Sequence, residues 1–330
     1  MWKKLKYRKT LTIVIVLAIA ISLSISCDKK LLNPDNNIVF HQNLSEYRIF
    51  KGALSDLVPN DSFYLYKLSS ELFTDYAEKQ RLIKLPAGTR MNIVKDGLID
   101  FPDGTMLVKT FFYYADKRNK ALGHRIIETR LLIKYKSKWN VAAYVWNENQ
   151  TEAYLQTNGS NTPVRWIDEA GSRQSIGYHI PSNNECATCH NENKSVIPIG
   201  PKARNLNIDI SVAGGRKNQL LHFSEIGISN SVDPASISIL PGYNDPFVGI
   251  EKRARAYFEI NCSHCHKPNG YNSNRNLYLA YENSYEETNI SRYQDLIVLR
   301  MQQHRMPKLG TTIIHAEGLA LIKAYVDSLP

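Results

Sequence analysis

The sequence predicts an α+β protein in which a β-rich, sandwich-like domain precedes a mostly helical region. Strand-like runs of β-branched and aromatic residues follow one another between residues 89 and 178, separated by short turns. Helix-like runs with apolar residues at helical spacing fill residues 246–330. A hydrophobic content of 43% with 10% aromatic residues is typical of globular proteins and excludes a disordered chain.

Residues 1–26 predict a signal peptide of the lipoprotein type. A basic run precedes an apolar run from Leu11 to Ile25, which is short for a membrane span of roughly 20 residues. Cys27 follows at the position of the lipobox cysteine of bacterial lipoproteins, although Ser24 replaces the usual leucine three positions before it. We therefore expect lipidation of Cys27, with residues 27–45 as a polar tether. Plain secretion and an uncleaved anchor are the alternatives.

The net charge of +10 depends on this leader. Cleavage would remove its five basic residues and leave a mature charge of +5. We therefore expect neither a nucleic-acid partner nor a polybasic membrane patch.

The β-rich domain is expected over residues 46–180. Residues 46 to about 85 mix short helical and loop signals. The strand runs come after them and read "GTMLVKTFFYYA", "HRIIETRLLIKYK", "WNVAAYVWN" and "TEAYLQT". Short turns between these runs predict antiparallel hairpins. The chain has no phosphate-binding glycine loop and no serine-elbow motif.

Two C-x-x-C-H motifs dominate the rest of the chain. They read "CATCH" and "CSHCH", and they contain all four cysteines other than Cys27. This spacing is the attachment signature of c-type haem, because two thiols add to the vinyl groups at one porphyrin edge while the next imidazole reaches the iron. We therefore expect two covalently bound haem c groups, with zinc and disulfides as alternatives. The expected attachment residues are Cys186, Cys189, Cys262 and Cys265, and the expected iron ligands are His190 and His266.

Residues 246–330 predict the surroundings of the second haem. Helix, C-x-x-C-H, loop, helix, Met-Pro loop and helix resemble a class I cytochrome c domain. In that class the second iron ligand is a methionine near the end of the domain, so Met306 in "HRMPKLGT" is the candidate. Met301 and His304 are competitors, and an open site is the remaining alternative. His264 is expected to face solvent.

Residues 181–245 form the first haem segment. They are rich in loops, with one short helix predicted in "RKNQLLHFSEIGI". No methionine lies between the two motifs, so the sixth ligand of this iron stays open. The candidates are His222, His179, another side chain such as Met91, Met106 or His124, or an open or water-bound iron.

Most of the mature chain resembles an uncharacterised family of exported bacterial dihaem c-type cytochromes. The matching stretches are "LFTDYAEKQRLIKLPAGT", "FPDGTMLVKTF", "IETRLLIKY", "IPSNNECATCH", "IGPKARNLN", "GRKNQL", "RARAYFEINCSHCH" and "RMPKLGT". The resemblance implies haem binding and electron transfer, and it supplies no substrate.

An electron carrier with unidentified redox donor and acceptor proteins is the function that this pattern favours. It would be lipid-anchored in the bacterial cell envelope, facing the periplasm or in the outer membrane, because covalent haem is attached outside the cytoplasm. The alternatives are a dihaem enzyme of the peroxidase type and a haem-bearing subunit of a larger dehydrogenase. Dihaem peroxidases carry their first motif near the mature N-terminus, whereas the first motif here begins at Cys186.

Overall fold

The computed structural model describes residues 38–329. From Gln42 onward these residues form one compact unit. The predicted signal peptide, Cys27 and most of the tether lie outside the described residues. Within 38–329, none of the helices combines the length and the apolar character needed to cross a bilayer.

A six-stranded antiparallel sheet forms the first half of this unit. Its strands follow chain order across the sheet: β1 (Tyr64–Leu65), β2 (Glu78–Lys84), β3 (Met106–Tyr114), β4 (His124–Tyr135), β5 (Lys138–Trp146) and β6 (Ala153–Gln156). The four predicted strand runs correspond to β3–β6. Strand β2 lies in a segment expected to be helical or loop, and that prediction is wrong here. Its sequence contains good helix formers, but all seven of its residues pair with β3.

A two-stranded ribbon packs on the sheet. It consists of β7 (Ser160–Ile167) and β8 (Arg173–Ile180). Trp166 and Tyr178 of the ribbon share a buried cluster with Phe111 and Tyr113 of β3. The Tyr178 hydroxyl also donates a hydrogen bond of 2.8 Å to the Glu128 carboxylate of β4. The ribbon therefore leaves part of this sheet face for the segment that follows it.

Short hairpins and seven helices make up the second half of the described chain. The helices are α1 (Asn183–Cys189), α2 (Ala203–Leu206), α3 (Gln219–Glu225), α4 (Ile250–Asn261), α5 (Tyr285–Thr288), α6 (Ile290–Gln302) and α7 (Ala316–Asp327). The hairpins are β9 (Asn191–Glu192) with β10 (Ser195–Val196), and β11 (Asp209–Val212) with β12 (Gly215–Asn218). The structure is therefore α+β, as predicted.

The three longest helices, α4, α6 and α7, surround one core. Tyr257 and Phe258 of α4 pack in it with Ile322 and Tyr325 of α7. Helices α4 and α7 approach closely at Gly318, where an added Cβ would lie 2.3 Å from the Tyr257 hydroxyl oxygen. Only glycine fits this approach without displacing the ring.

Polar contacts hold the helical half against the rest of the unit. The backbone N–H of Phe73 donates to the side-chain oxygen of Asn261 at 2.9 Å. Lys202, at the start of α2, donates to the fully buried Glu259 of α4 at 2.5 Å. These contacts fix the end of α4, where the second C-x-x-C-H motif begins.

Candidate functional site

The first C-x-x-C-H motif is built on helix α1. Ser182 caps this helix. Its hydroxyl accepts a hydrogen bond from the Glu185 backbone N–H, and the Glu185 carboxylate accepts one from the Ser182 backbone N–H. Cys186 and Cys189 lie three residues apart in the helix and therefore share a face. Cys186 is only 5% exposed, and burial raises the pKa of its thiol to about 11.

His190 follows the helix and is oriented by the β9–β10 hairpin. Asn193 and Lys194 at the hairpin turn have φ of 49° and 64°, in the left-handed region that a tight hairpin turn uses. The chain therefore returns, and the Ile197 carbonyl accepts a hydrogen bond of 2.7 Å from His190 Nδ1. Burial lowers the pKa of His190 to about 3, so the ring is neutral and its Nε2 carries the lone pair. Metal-bound histidines are held in this way.

The second motif begins where helix α4 ends. The backbone N–H groups of Cys265 and His266 donate to the Cys262 carbonyl at 3.1 and 3.0 Å, which folds the motif into a turn. Gly270 closes over it, since a Cβ there would lie 2.6 Å from the Cys265 carbonyl oxygen. His266 Nδ1 is buried and has no hydrogen-bond partner among the described residues. A buried orphan nitrogen of this kind is costly unless something binds it.

A cleft of about 1050 Å³ opens beside the second motif. Its lining includes Cys262 and His266 together with Met301 and Met306. The structure thus brings the predicted ligand Met306 into the same cleft as His266. Met301 also packs in the helical core at 8% exposure. His304 is absent from this lining, and its Nε2 lies 3.3 Å from the Thr311 hydroxyl.

The two motifs contact each other. The ligand atoms of Cys189, His264 and Cys265 all lie within 4.8 Å of one another. A hydrogen bond between the thiols, together with burial, raises the pKa of Cys189, and the same bond lowers the pKa of Cys265. His264 is partly buried, and its Nδ1 is buried with no hydrogen-bond partner within residues 38–329, so the expectation that it faces solvent is wrong. The first motif packs against it, which the spacing within one motif does not indicate.

The cysteines and histidines of the two motifs are potential ligands of zinc as well as of haem. All four cysteines of the described chain are free. Zinc bound through a C-x-x-C unit would use both thiolates of that unit, whereas this cluster takes one cysteine from each motif. Burial raises the pKa of the Cys262 thiol to about 12, and Cys186 likewise stays protonated. Each pair of thiols is followed directly by a histidine, so the residues of each motif would fit one covalently attached haem.

His190 lines two adjoining cavities. None of the sixth-ligand candidates lines either of them. His222 lies on α3 with its ring 6.4 Å from that of Phe223, and both ring nitrogens of His179 bond to other side chains, those of Asn161 and Glu185. The remaining candidates, Met91, Met106 and His124, also lie outside these linings.

The cavities beside His190 contain basic residues that the sequence did not suggest. Arg130 lines both cavities, and Arg81 and Lys109 line the larger one. The sequence shows these charged residues on the strands, but it could have placed them together only if the strand register had been known.

Comparisons with protein-family models, curated proteins and solved structures found no match.

Proposed function

We propose that this protein is a dihaem c-type cytochrome that transfers electrons in the bacterial cell envelope. The observation that carries the proposal is the contact between the two motifs, where Cys189, His264 and Cys265 meet within 4.8 Å. Cys189 and Cys265 would each bind one haem, so the attachment points of the two haems would lie close together. Short separation between redox groups is what an electron wire needs. The haems supply reversible one-electron chemistry when bound.

The protein's own residues position these groups. Cys186 and Cys189 would hold the first haem, with His190 Nε2 directed to its iron by the Ile197 carbonyl. Cys262 and Cys265 would hold the second haem in the cleft that also contains His266 and Met306, and sulfur ligation favours ferrous iron. We accordingly assign residues 246–330 to a class I-like cytochrome c domain and the preceding sheet with its ribbon to a sandwich-like domain.

The cleft of the second motif offers a carrier-type environment. Apolar side chains line it together with Arg275, Arg300 and Arg305, which are suitable partners for carboxylates. If His266 and Met306 both bound the second iron, it would have no open position for a substrate. Anchoring through a lipidated Cys27 would keep the carrier at a membrane, next to its donor and acceptor proteins.

The first site favours one alternative, a dihaem enzyme of the peroxidase type. None of the residues named as sixth-ligand candidates lines the cavities of His190, and the second histidine that does line one of them, His264, belongs to the other motif, so the first iron would be open if His264 did not reach it. An open haem iron is high-spin and binds small ligands. Cyanide titration of the oxidised protein separates the two functions, because a carrier with two six-coordinate haems binds cyanide weakly at both.

Haem content tests the proposal directly. Expressed with a cytochrome c maturation system, the wild-type chain should contain two haems per chain in a pyridine haemochrome assay. The double variant Cys186→Ala/Cys189→Ala should retain one, and so should Cys262→Ala/Cys265→Ala. A wild-type chain that carries one haem or none under these conditions rejects the dihaem function.

A further inference from the structure

Three cations lie side by side on one face of the sheet. Arg81 on β2 pairs in register with Lys109 on β3, and Lys109 pairs in register with Arg130 on β4. Cross-strand partners point to the same face, so these three side chains form one row, called here the cationic row. Like charges directly opposite each other destabilise a sheet, so such a row requires compensating negative charge.

Two members of the cationic row have a carboxylate partner. Arg81 makes a two-pronged pair with Glu71, with both N–O distances 3.0 Å. Arg130 makes a similar pair with the fully buried Glu128 at 2.5 and 2.8 Å. Lys109, between them, has no carboxylate partner among residues 38–329.

The face therefore carries surplus positive charge around Lys109. The Lys109 Nζ lies 4.6 Å from the centroid of the Phe111 ring, a contact that does not neutralise it. Burial, followed by the charges of Arg81, Lys79 and Arg130, lowers the pKa of the Lys109 ammonium well below its ordinary value. With Lys79 on the same face, four basic side chains face two acidic ones. Lys79 and Arg81 share the Glu71 carboxylate, and Arg130 pairs with Glu128, so Lys109 is the member of this group without a carboxylate partner among the described residues.

The cationic row lines a cavity with the first motif. Its three side chains and His190 line the same cavity. Arg130 and His190 also line the adjoining cavity, which Cys186 and Cys189 border. The His190 imidazole thus borders both cavities. The two cysteines line one of them, and the complete cationic row lines the other. In a porphyrin of the haem type, the propionates project from the edge away from the vinyl groups that cysteines attack.

We propose that the cationic row binds the two propionate carboxylates of the haem attached at Cys186 and Cys189, an inference that rests on the proposed function. A propionate carboxylate would supply the partner that Lys109 lacks and would add negative charge beside four basic side chains that share two carboxylates. Lys109 is the residue whose charge the propionates compensate most directly, because Arg81 and Arg130 already have acidic partners. Charge-assisted hydrogen bonds would fix the propionate edge against the sheet. A cation there favours ferrous iron, so removing it lowers the reduction potential of this haem.

Redox titration of the holoprotein tests the assignment by comparing substitutions of two lysines, Lys109 on β3 and Lys84 on β2. Lys109→Gln should retain two haems and lower one midpoint potential by about 59 mV, a tenfold change in the equilibrium constant for one electron. The affected potential should be the one that Cys186→Ala/Cys189→Ala removes. Lys84→Gln is the matched control, since its Nζ also lies over a phenylalanine ring, at 5.3 Å from that of Phe63, but on the opposite face of the sheet. The control should leave both potentials in place.

The outcomes separate this inference from the proposed function. Absence of haem from the wild-type chain removes the proposed function, and the inference with it. Two haems with potentials unchanged in Lys109→Gln reject the inference alone. A change of spin state in the EPR spectrum of Lys109→Gln also rejects it, because the amine would then be an iron ligand. If Lys109→Gln does not accumulate, Lys109→Arg decides, since it must restore both accumulation and wild-type potentials.

Discussion

The buried carboxylate of Asp75 holds the chain at Thr312, a few residues after Met306. It accepts hydrogen bonds from the Thr312 backbone N–H at 2.9 and 2.8 Å and from the Thr312 hydroxyl at 2.7 Å. Asp75 is 2% exposed, and burial raises the pKa of its carboxyl despite these donors. The segment before β2 thus positions the loop that presents Met306 to its cleft.

Asp75→Asn should weaken this anchor. The amide nitrogen cannot accept hydrogen bonds, so at least one of the donors to Asp75, which are the backbone N–H groups of Thr312 and Ile313 and the Thr312 hydroxyl, loses its partner at a cost of about 1–3 kcal/mol. Urea unfolding followed by circular dichroism measures this loss. Asp61→Asn is the control, because Asp61 pairs with Lys51 at an exposed position and should change stability by less than about 1 kcal/mol. Equal effects of the two substitutions would remove the anchoring role of Asp75.

Glu259→Gln should destabilise the protein in a pH-dependent way. Burial alone would raise the pKa of Glu259, but Lys202 and the Tyr281 backbone N–H lower it below its ordinary value. A lowered pKa stabilises the fold above the unfolded value near 4.3 and loses that stabilisation as the pH falls through the folded value. We expect Glu259→Gln to cost about 3 kcal/mol at pH 7, and the difference from wild type to shrink towards pH 3.

The control for that substitution is Glu225→Gln. Glu225 pairs with Lys217, and both side chains are exposed, so its loss should cost less than about 1 kcal/mol at any pH. A pH-independent deficit of Glu259→Gln would show that its carboxylate charge does not matter.

Gly318→Ala should separate helices α4 and α7. The added methyl group would lie 2.3–2.4 Å from atoms of the Tyr257 ring, and such overpacking costs about 1–3 kcal/mol. Gly177→Ala is the control, since nothing lies within 4 Å of a Cβ there and its φ needs no glycine. Thermal unfolding should show a lower Tm for Gly318→Ala and little change for Gly177→Ala. The reverse order contradicts close packing of the two helices.

Met306→His should change only the second haem. Replacing sulfur by imidazole favours ferric iron, so one of two potentials should fall by at least about 59 mV, and the sulfur-to-iron absorption band of the ferric protein should disappear. Met301→Leu should keep the band, because it preserves the packing volume in the helical core. If wild-type protein lacks the band and Met306→His leaves both potentials in place, Met306 only packs in the cleft.

Cys27→Ser should release the protein from the membrane. The basic and apolar leader before Cys27 predicts lipidation, and serine cannot form the thioether to the lipid. Membrane fractionation and mass spectrometry of the mature chain measure the change, with the Cys186→Ala variant as a cysteine control. Membrane-bound Cys27→Ser of mature mass contradicts the lipid anchor.

Local patterns predicted the parts of the fold whose signals lie within one segment. Helices α4, α6 and α7 follow from apolar spacing, and β3–β6 from β-branched and aromatic runs. The same patterns located the motifs and placed Met306 in a loop after the second one. Strand β2 was missed because pairing with β3 overrides its helix formers.

The relations between segments could not be predicted from the sequence. The burial of His264 arises because the first motif packs against the second. The cationic row exists only once the register of β2, β3 and β4 is known, since a shift of one residue would turn Lys109 to the other face. Both features join residues far apart in the chain, where spacing carries no information.

The burial of the Cys186 thiol limits when this thiol can react during maturation of the chain. At 5% exposure it is closed to a bulky reagent in the folded protein. Under the proposed function, bond formation to a porphyrin would therefore precede the final packing of α1, and attachment would be a step of maturation on a chain that has not yet folded there. A chain that folded before attachment would remain without haem, with the thiols of Cys189 and Cys265 in contact. Such a chain would become competent again only by unfolding.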